Sequence, residues 1–212
     1  MSTPATMMKG FPDKPVKAIV IGASAGGVEA LVQLLPALPA GTDVPVLVVL
    51  HQPRDRASLL VEIFTPLCAL PVREPNDKDP IDPGTIYFAP PDYHMLVDGA
   101  GNFALSADEA VNFSRPSIDV LFESAADVYG AGLMAIVLTG ANHDGAAGLK
   151  AVGDAGGRTI VQQPEGAHAW LMPQSAIGKC PGAQVLGLPE IAEIFRAMGA
   201  SGNDASRGAG HA

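Results

Sequence analysis

The sequence is poor in the residues that specialised scaffolds need. It has two cysteines, Cys68 and Cys180, far apart and without metal-ligand spacing. That excludes a disulfide framework and a cysteine-based metal site, and it fits reduced thiols in a cytosolic protein. Basic residues are also scarce, 13 Lys and Arg against 22 Asp and Glu, for a formal net charge of -9. A general nucleic-acid binder needs cations to neutralise phosphates, so that class is excluded, although a local basic patch is not. No apolar run approaches the roughly 18 residues of a spanning helix, so membrane insertion is not expected. Met1 to Lys14 lacks both the apolar core and the cleavage site of a signal peptide, and a cytoplasmic location follows as the expectation.

What is present is apolar and regularly punctuated. Hydrophobic residues make up 48% of the 212, ample for a sizeable core. Val16 to Ala23 is a continuous apolar run, as expected of a strand buried on both faces of a parallel sheet, and Asp43 to Leu50, rich in valine, reads as a second buried strand. Gly26 to Leu38, with Ala30, Leu31, Leu34 and Leu35 on one side, reads as a helix. A second helical segment is expected over Ala57 to Ala69, and a short strand over Pro71 to Glu74. Thr85 to Pro90, Tyr93 to Val97 and Phe103 to Leu105, split by Pro-Pro-Asp and Asp-Gly-Ala-Gly-Asn, read as a hairpin or meander inserted at one sheet edge. Alternation then returns. Helices are expected over Ser117 to Val128, Gly145 to Ala155, Pro173 to Ile177 and Pro189 to Met198, and strands over Leu133 to Leu138 and Arg158 to Gln162. The pattern implies a single-domain α/β fold: a doubly wound, mostly parallel sheet with a β-hairpin insertion.

In such sheets the active site lies at the carboxyl ends of the strands. Ser24, His51 and the loop from Thr139 to Asp144 each directly follow an expected strand. Gly22-Ala23-Ser24-Ala25-Gly26-Gly27 suits a strand, a tight turn and a helix start, where a serine stands exposed near the positive end of the helix dipole. A dinucleotide fingerprint would need glycine where Ser24 stands, and an acid where the second strand ends in His51 and Gln52. Ser24 as a plain helix cap, His51 as a core histidine and Asp144 as a turn residue before Gly145 are the competing structural readings. His143 adjoins Asp144, but its side chain should point elsewhere.

Five segments in order resemble one family. They are Ile21 to Gly27, Leu50-His51-Gln52-Pro53, Gly84 to Pro90, Arg115 to Phe122, and Leu138-Thr139-Gly140 through Ala146. The family is the catalytic domain of the bacterial chemotaxis protein-glutamate methylesterases (CheB type), and the resemblance runs from about Val16 to about Met198. It implies a Ser-His-Asp triad on Ser24, His51 and Asp144, with no metal or organic cofactor. It also implies hydrolysis of γ-glutamyl methyl esters on chemoreceptor helices with release of methanol, often with glutamine deamidation. Backbone N–H groups near Ala25 and Ala141 are then expected to stabilise the oxyanion, with His94 as a site neighbour or a structural hairpin residue. Arg54, Arg56 and Arg115 are expected either to form a basic rim for glutamate-rich receptor helices or to be solvated surface residues.

Three departures accompany the resemblance. Ala25 stands where the family commonly has Thr. Ala141 and Asn142 replace the Met and second Gly of its Thr-Gly-Met-Gly-x-Asp-Gly loop. Full-length members carry an N-terminal receiver domain, whereas only about 15 residues precede the first strand here. The expected organisation is therefore a lead-in over 1–15, a catalytic domain over 16–198 and a tail over 199–212, with a separate receiver protein as a candidate partner. Another ester or amide hydrolase on the same scaffold, or a catalytically silent receptor-binding module, are the alternatives.

Overall fold

The computed structural model of the protein describes residues 15–52 and 58–198. The tail over 199–212, the lead-in except Pro15, and Arg54 and Arg56 lie outside the described residues. Nine strands are present among the described residues: β1 Ala18–Ala23, β2 Val46–Leu50, β3 Val72–Arg73, β4 Ile86–Phe88, β5 His94–Val97, β6 Phe103–Ser106, β7 Leu133–Val137, β8 Arg158–Gln162 and β9 Gln184–Leu186. The helices are α1 Gly27–Leu34, α2 Leu60–Phe64, α3 Ile118–Tyr129, α4 Ala146–Asp154, α5 Leu171–Lys179 and α6 Leu188–Ala197. Seven strands form one sheet in the order β3-β4-β2-β1-β7-β8-β9, and every pairing in it is parallel. β5 and β6 form a separate antiparallel hairpin.

The alternation of side chains along β1 divides the core. Ile19, Ile21 and Ala23 face one layer, with Leu31 and Leu34 of α1 and Ile191 and Phe195 of α6. Ala18 and Val20 face the other, with Leu121 and Phe122 of α3, Leu149 of α4 and Met172 of α5. Each such buried Leu, Ile or Phe contributes about 1.5–3 kcal/mol relative to exposure. A sheet covered on both faces accounts for the uninterrupted apolar runs of β1, β2 and β7.

Several elements differ from the sequence-based expectation. α1 ends at Leu34, and Leu35–Ala37 continues as a 3₁₀ turn. Pro36 lacks an N–H and so cannot donate the next i→i−4 hydrogen bond of an α-helix. The segment Thr85 to Pro90 is no part of the hairpin: β4 lies between β2 and β3 in the main sheet. Ile86 and Phe88 enter one core layer and Tyr87 the other, so this too is a two-sided strand. The hairpin is not at a sheet edge. Met95, Val97 and Phe103 pack with α3 and Tyr87 beneath it, the Tyr87 and Phe103 ring centroids 4.7 Å apart. β9 was not expected, being only three partly exposed residues at the sheet margin. α5 begins two residues before Pro173, which is tolerated in a first turn because its missing N–H has no intrahelical partner there.

β1 is the central strand, with β2 on one side and β7 on the other. The chain places β2, then the edge strand β3, then β4 between them, all on one side of β1, and returns to the sheet at β7 on the opposite side. The carboxyl end of β1 is therefore the switch point where α/β sheets open a crevice.

Candidate active site

Backbone hydrogen bonds hold the three strand ends together up to the residues of interest. His51 N donates to Ala23 O at 3.1 Å, Ser24 N to Thr139 O at 2.9 Å, and Leu138 N to Gly22 O at 2.9 Å. Ser24 therefore sits between the ends of β2 and β7. The turn after it needs glycine at Gly26, which has φ +76° and where a Cβ would lie 2.4 Å from His168 Cβ. The Thr139 hydroxyl donates to Ala25 O at 2.8 Å, tying the β7 loop to this elbow. The buried Gln162 side chain receives the Thr139 N–H at 2.8 Å.

His51 and Asp144 meet directly. His51 Nε2 lies 2.9 Å from Asp144 Oδ2, and the carboxylate is fully buried. Asp144 accepts from four further donors: Ile118 N at 2.6 Å, Ser117 Oγ at 2.8 Å, Asn112 Nδ2 at 3.0 Å and Asp119 N at 3.2 Å. Three of these belong to the first turn of α3 or its cap, so the carboxylate also satisfies orphan N–H groups at that helix's positive end. Burial pushes the Asp144 pKa up, but the bonds from His51, Asn112 and Ile118 outweigh it and hold the carboxyl below its ordinary value. The ionised acceptor fixes the proton on Nε2, which leaves Nδ1 as the ring nitrogen with a lone pair.

Asn112 was missed by sequence reasoning. Its side-chain nitrogen bridges two buried carboxylates, Asp119 Oδ2 at 2.8 Å and Asp144 Oδ1 at 3.0 Å. Burial, with Asp144 close by, raises the Asp119 pKa above the ordinary carboxylate value. Asn112 and Phe113 have φ 50° and 62°, forming a tight turn closed by a Val111–Ser114 bridge. Ser114 Oγ lies 3.5 Å from His51 Nδ1, so the turn touches the site on both sides of Phe113, which is 94% exposed. Only the polar Asn112 carried a local turn signal, and it does not announce contact with a carboxylate 32 residues away.

Ser24 is half-buried, while Ala25 and Ala141 are exposed. Among the described residues no hydrogen bond takes up the Ser24 hydroxyl or the Ala25 and Ala141 N–H groups. His143 lines a cleft with Asn112, Asp119 and Lys179. His94 does not reach Ser24. It is buried, with Nδ1 accepting from Ser117 N at 3.1 Å and Nε2 3.1 Å from Glu109 O. It braces the residue whose hydroxyl holds Asp144, the structural reading of a hairpin histidine.

Arg115 is not a free cation on the rim. Its guanidinium donates to Asp92 Oδ1 at 2.7 and 3.0 Å and to the carbonyls of Ala107 and Asp108 at 2.6 and 2.8 Å. Every guanidinium nitrogen is thus engaged within the chain, so its contacts tie down the 107–115 loop and do not support a docking role. Among the described residues no group of three or more His, Cys, Asp or Glu is arranged to hold a metal ion.

A family model described as CheB methylesterase matches residues 19–195. The chain belongs to the CheB methylesterase family. This CheB-type chain is 38% identical over 192 residues to the protein-glutamate methylesterase/protein-glutamine glutaminase of Symbiobacterium thermophilum, covering 90% of this chain and 53% of that one. It is 45% identical over 179 residues to a Leptospira interrogans protein provisionally given the same name, covering 84% of this chain and 93% of the other. The crystal structure of the Thermotoga maritima CheB methylesterase catalytic domain superposes with a TM-score of 0.81 at 31% identity, covering 87% of this chain and all of that one. The doubly wound sheet is thus that of a CheB catalytic domain.

Proposed function

We propose that this chain hydrolyses glutamate γ-methyl esters on the cytoplasmic helices of methyl-accepting chemoreceptors, and deamidates glutamines there, with Ser24, His51 and Asp144 as its triad. The observation that carries the reading is the His51 Nε2–Asp144 Oδ2 contact of 2.9 Å beside the elbow that bears Ser24. With its Nε2 proton committed to Asp144, His51 takes the Ser24 proton on Nδ1 as Oγ bonds to the ester carbonyl carbon. The tetrahedral oxyanion is met by the untaken N–H groups near Ala25 and Ala141. As it collapses, the C–OCH₃ bond breaks and the imidazolium returns its proton to the leaving methoxide, releasing methanol. Water, deprotonated by His51, then cleaves the acyl-serine to free glutamate and Ser24. With a glutamine side chain the leaving group is ammonia.

The chain spans about half the length of the Symbiobacterium relative, so the substrate assignment is tested on this chain itself. The assay is methanol release from methylated receptor. Ser24→Ala should lower the rate by on the order of 10⁴ to 10⁶, because triad members act as a unit, and should leave the melting temperature unchanged. Undiminished release by Ser24→Ala overturns the reading.

A further inference from the structure

Asn142 occupies a place where the resembled loop has a glycine, which offers no side chain. Its amide is oriented by a fixed donor. Asn142 Oδ1 accepts the Asp144 N–H at 3.1 Å, so Nδ2 must point the other way, to His51 Nδ1 at 3.1 Å. The ring of contacts is closed and self-consistent: His51 Nε2–H to Asp144 Oδ2, Asp144 N–H to Asn142 Oδ1, and Asn142 Nδ2–H to His51 Nδ1. An imidazole nitrogen has one in-plane lone pair and accepts one good hydrogen bond. Here Asn142 takes it, with Ser114 Oγ at the 3.5 Å limit, and no hydrogen bond joins Ser24 to His51.

We propose that Asn142 is a positioning residue that masks the base nitrogen of His51 in the resting site, so that its amide must leave Nδ1 before Ser24 can hand over its proton. The inference rests on the triad reading above and deepens it. Asp144 alone already sets the Nε2–H tautomer, so Asn142 is not needed to orient the proton and its effect on Nδ1 is competitive. An acyl carbonyl entering the crevice offers the Asn142 N–H another acceptor, which ties exposure of the base to the arrival of substrate.

The test uses two variants. Asn142→Ala removes both amide functions. Asn142→Ser keeps a short acceptor for the Asp144 N–H but cannot reach His51. The first readout is the acylation burst of Ser24 with a neutral p-nitrophenyl ester. Both variants should acylate roughly 2- to 10-fold faster, the factor one neutral hydrogen bond corresponds to, through kcat and not KM. The second is the ¹⁵N resonance of His51 Nδ1, which should move toward the free imine position in both variants. Unchanged or slower acylation in Asn142→Ser at an unchanged melting temperature, or a stationary Nδ1 resonance, overturns the proposal. Failure of the triad reading is distinguishable, because the wild-type burst would then persist in Ser24→Ala.

Discussion

Asp144→Asn tests whether one carboxylate does two jobs. Asp144 receives only donors: Ile118 N and His51 Nε2 on Oδ2, and Asp119 N, Ser117 Oγ and Asn112 Nδ2 on Oδ1. An asparagine must place its NH₂ against one set. Against Oδ2's partners it meets the Ile118 N–H; against Oδ1's it meets the Asp119 N–H. Neither backbone donor can reverse, so one is left unpaired in a fully buried site, at about 1–3 kcal/mol. Loss of the negative charge at the N-terminus of α3 adds about 0.3–2 kcal/mol. The expected destabilisation is about 2–4 kcal/mol, or roughly 5–15 °C in melting temperature for a domain of this size. Turnover should fall roughly 10⁴-fold, since the imidazole loses its anionic partner and the wrong tautomer becomes accessible. Methanol release is measured well below the variant's melting temperature, with Ser24→Ala as the comparison that loses activity without stability. Turnover within tenfold of wild type would refute a catalytic Asp144, and an unchanged melting temperature would refute its role at α3. The pH dependence has a definite sign. The Asp144 pKa is lowered on folding, so its stabilisation is full above about pH 4 and is lost as pH falls through the folded value. The wild-type advantage in melting temperature over Asp144→Asn should shrink below pH 4. Asp119, raised in the fold, acts in the opposite direction in both proteins and cancels in the comparison to the extent that its environment is shared.

Two further substitutions probe the 107–115 loop. Arg115→Gln should destabilise by about 1–3 kcal/mol, discounted for the partial exposure of Asp92, and should lower turnover of methylated receptor and of a small neutral ester equally; selective loss on receptor would contradict the intramolecular role. Phe113 holds a left-handed conformation at φ 62° with its ring almost fully exposed, so no packing among the described residues offsets the strain. Phe113→Gly should therefore raise stability by about 1 kcal/mol, seen as a rise of about 2–4 °C in melting temperature. A fall in melting temperature would show that the ring does pack.

Much of the scaffold was legible because two-sided burial leaves an unmistakable trace: β1, β2 and β7 are uninterrupted apolar runs. Ser24, His51 and Asp144 could be picked out because each directly follows or closely trails such a run, and chain geometry puts strand ends at one edge. Local punctuation misled where it competed with burial, as when the proline-rich flanks of Ile86–Phe88 disguised a central-sheet strand as part of a hairpin.

What the sequence by itself determined was the strand-turn-helix junctions and hence which side chains stand at the crevice. Backbone geometry dictates these locally, from apolar runs that end in glycine or polar residues. What only the tertiary structure decided was which nitrogen of His51 meets Asp144, that Asp144 also satisfies α3, and that Asn112 and Asn142 touch the pair. Those contacts span 25 to 93 residues of chain where they join different loops. Hydrogen bonds of that kind depend on donor direction to within a fraction of an ångström, and no periodicity of residue type encodes it.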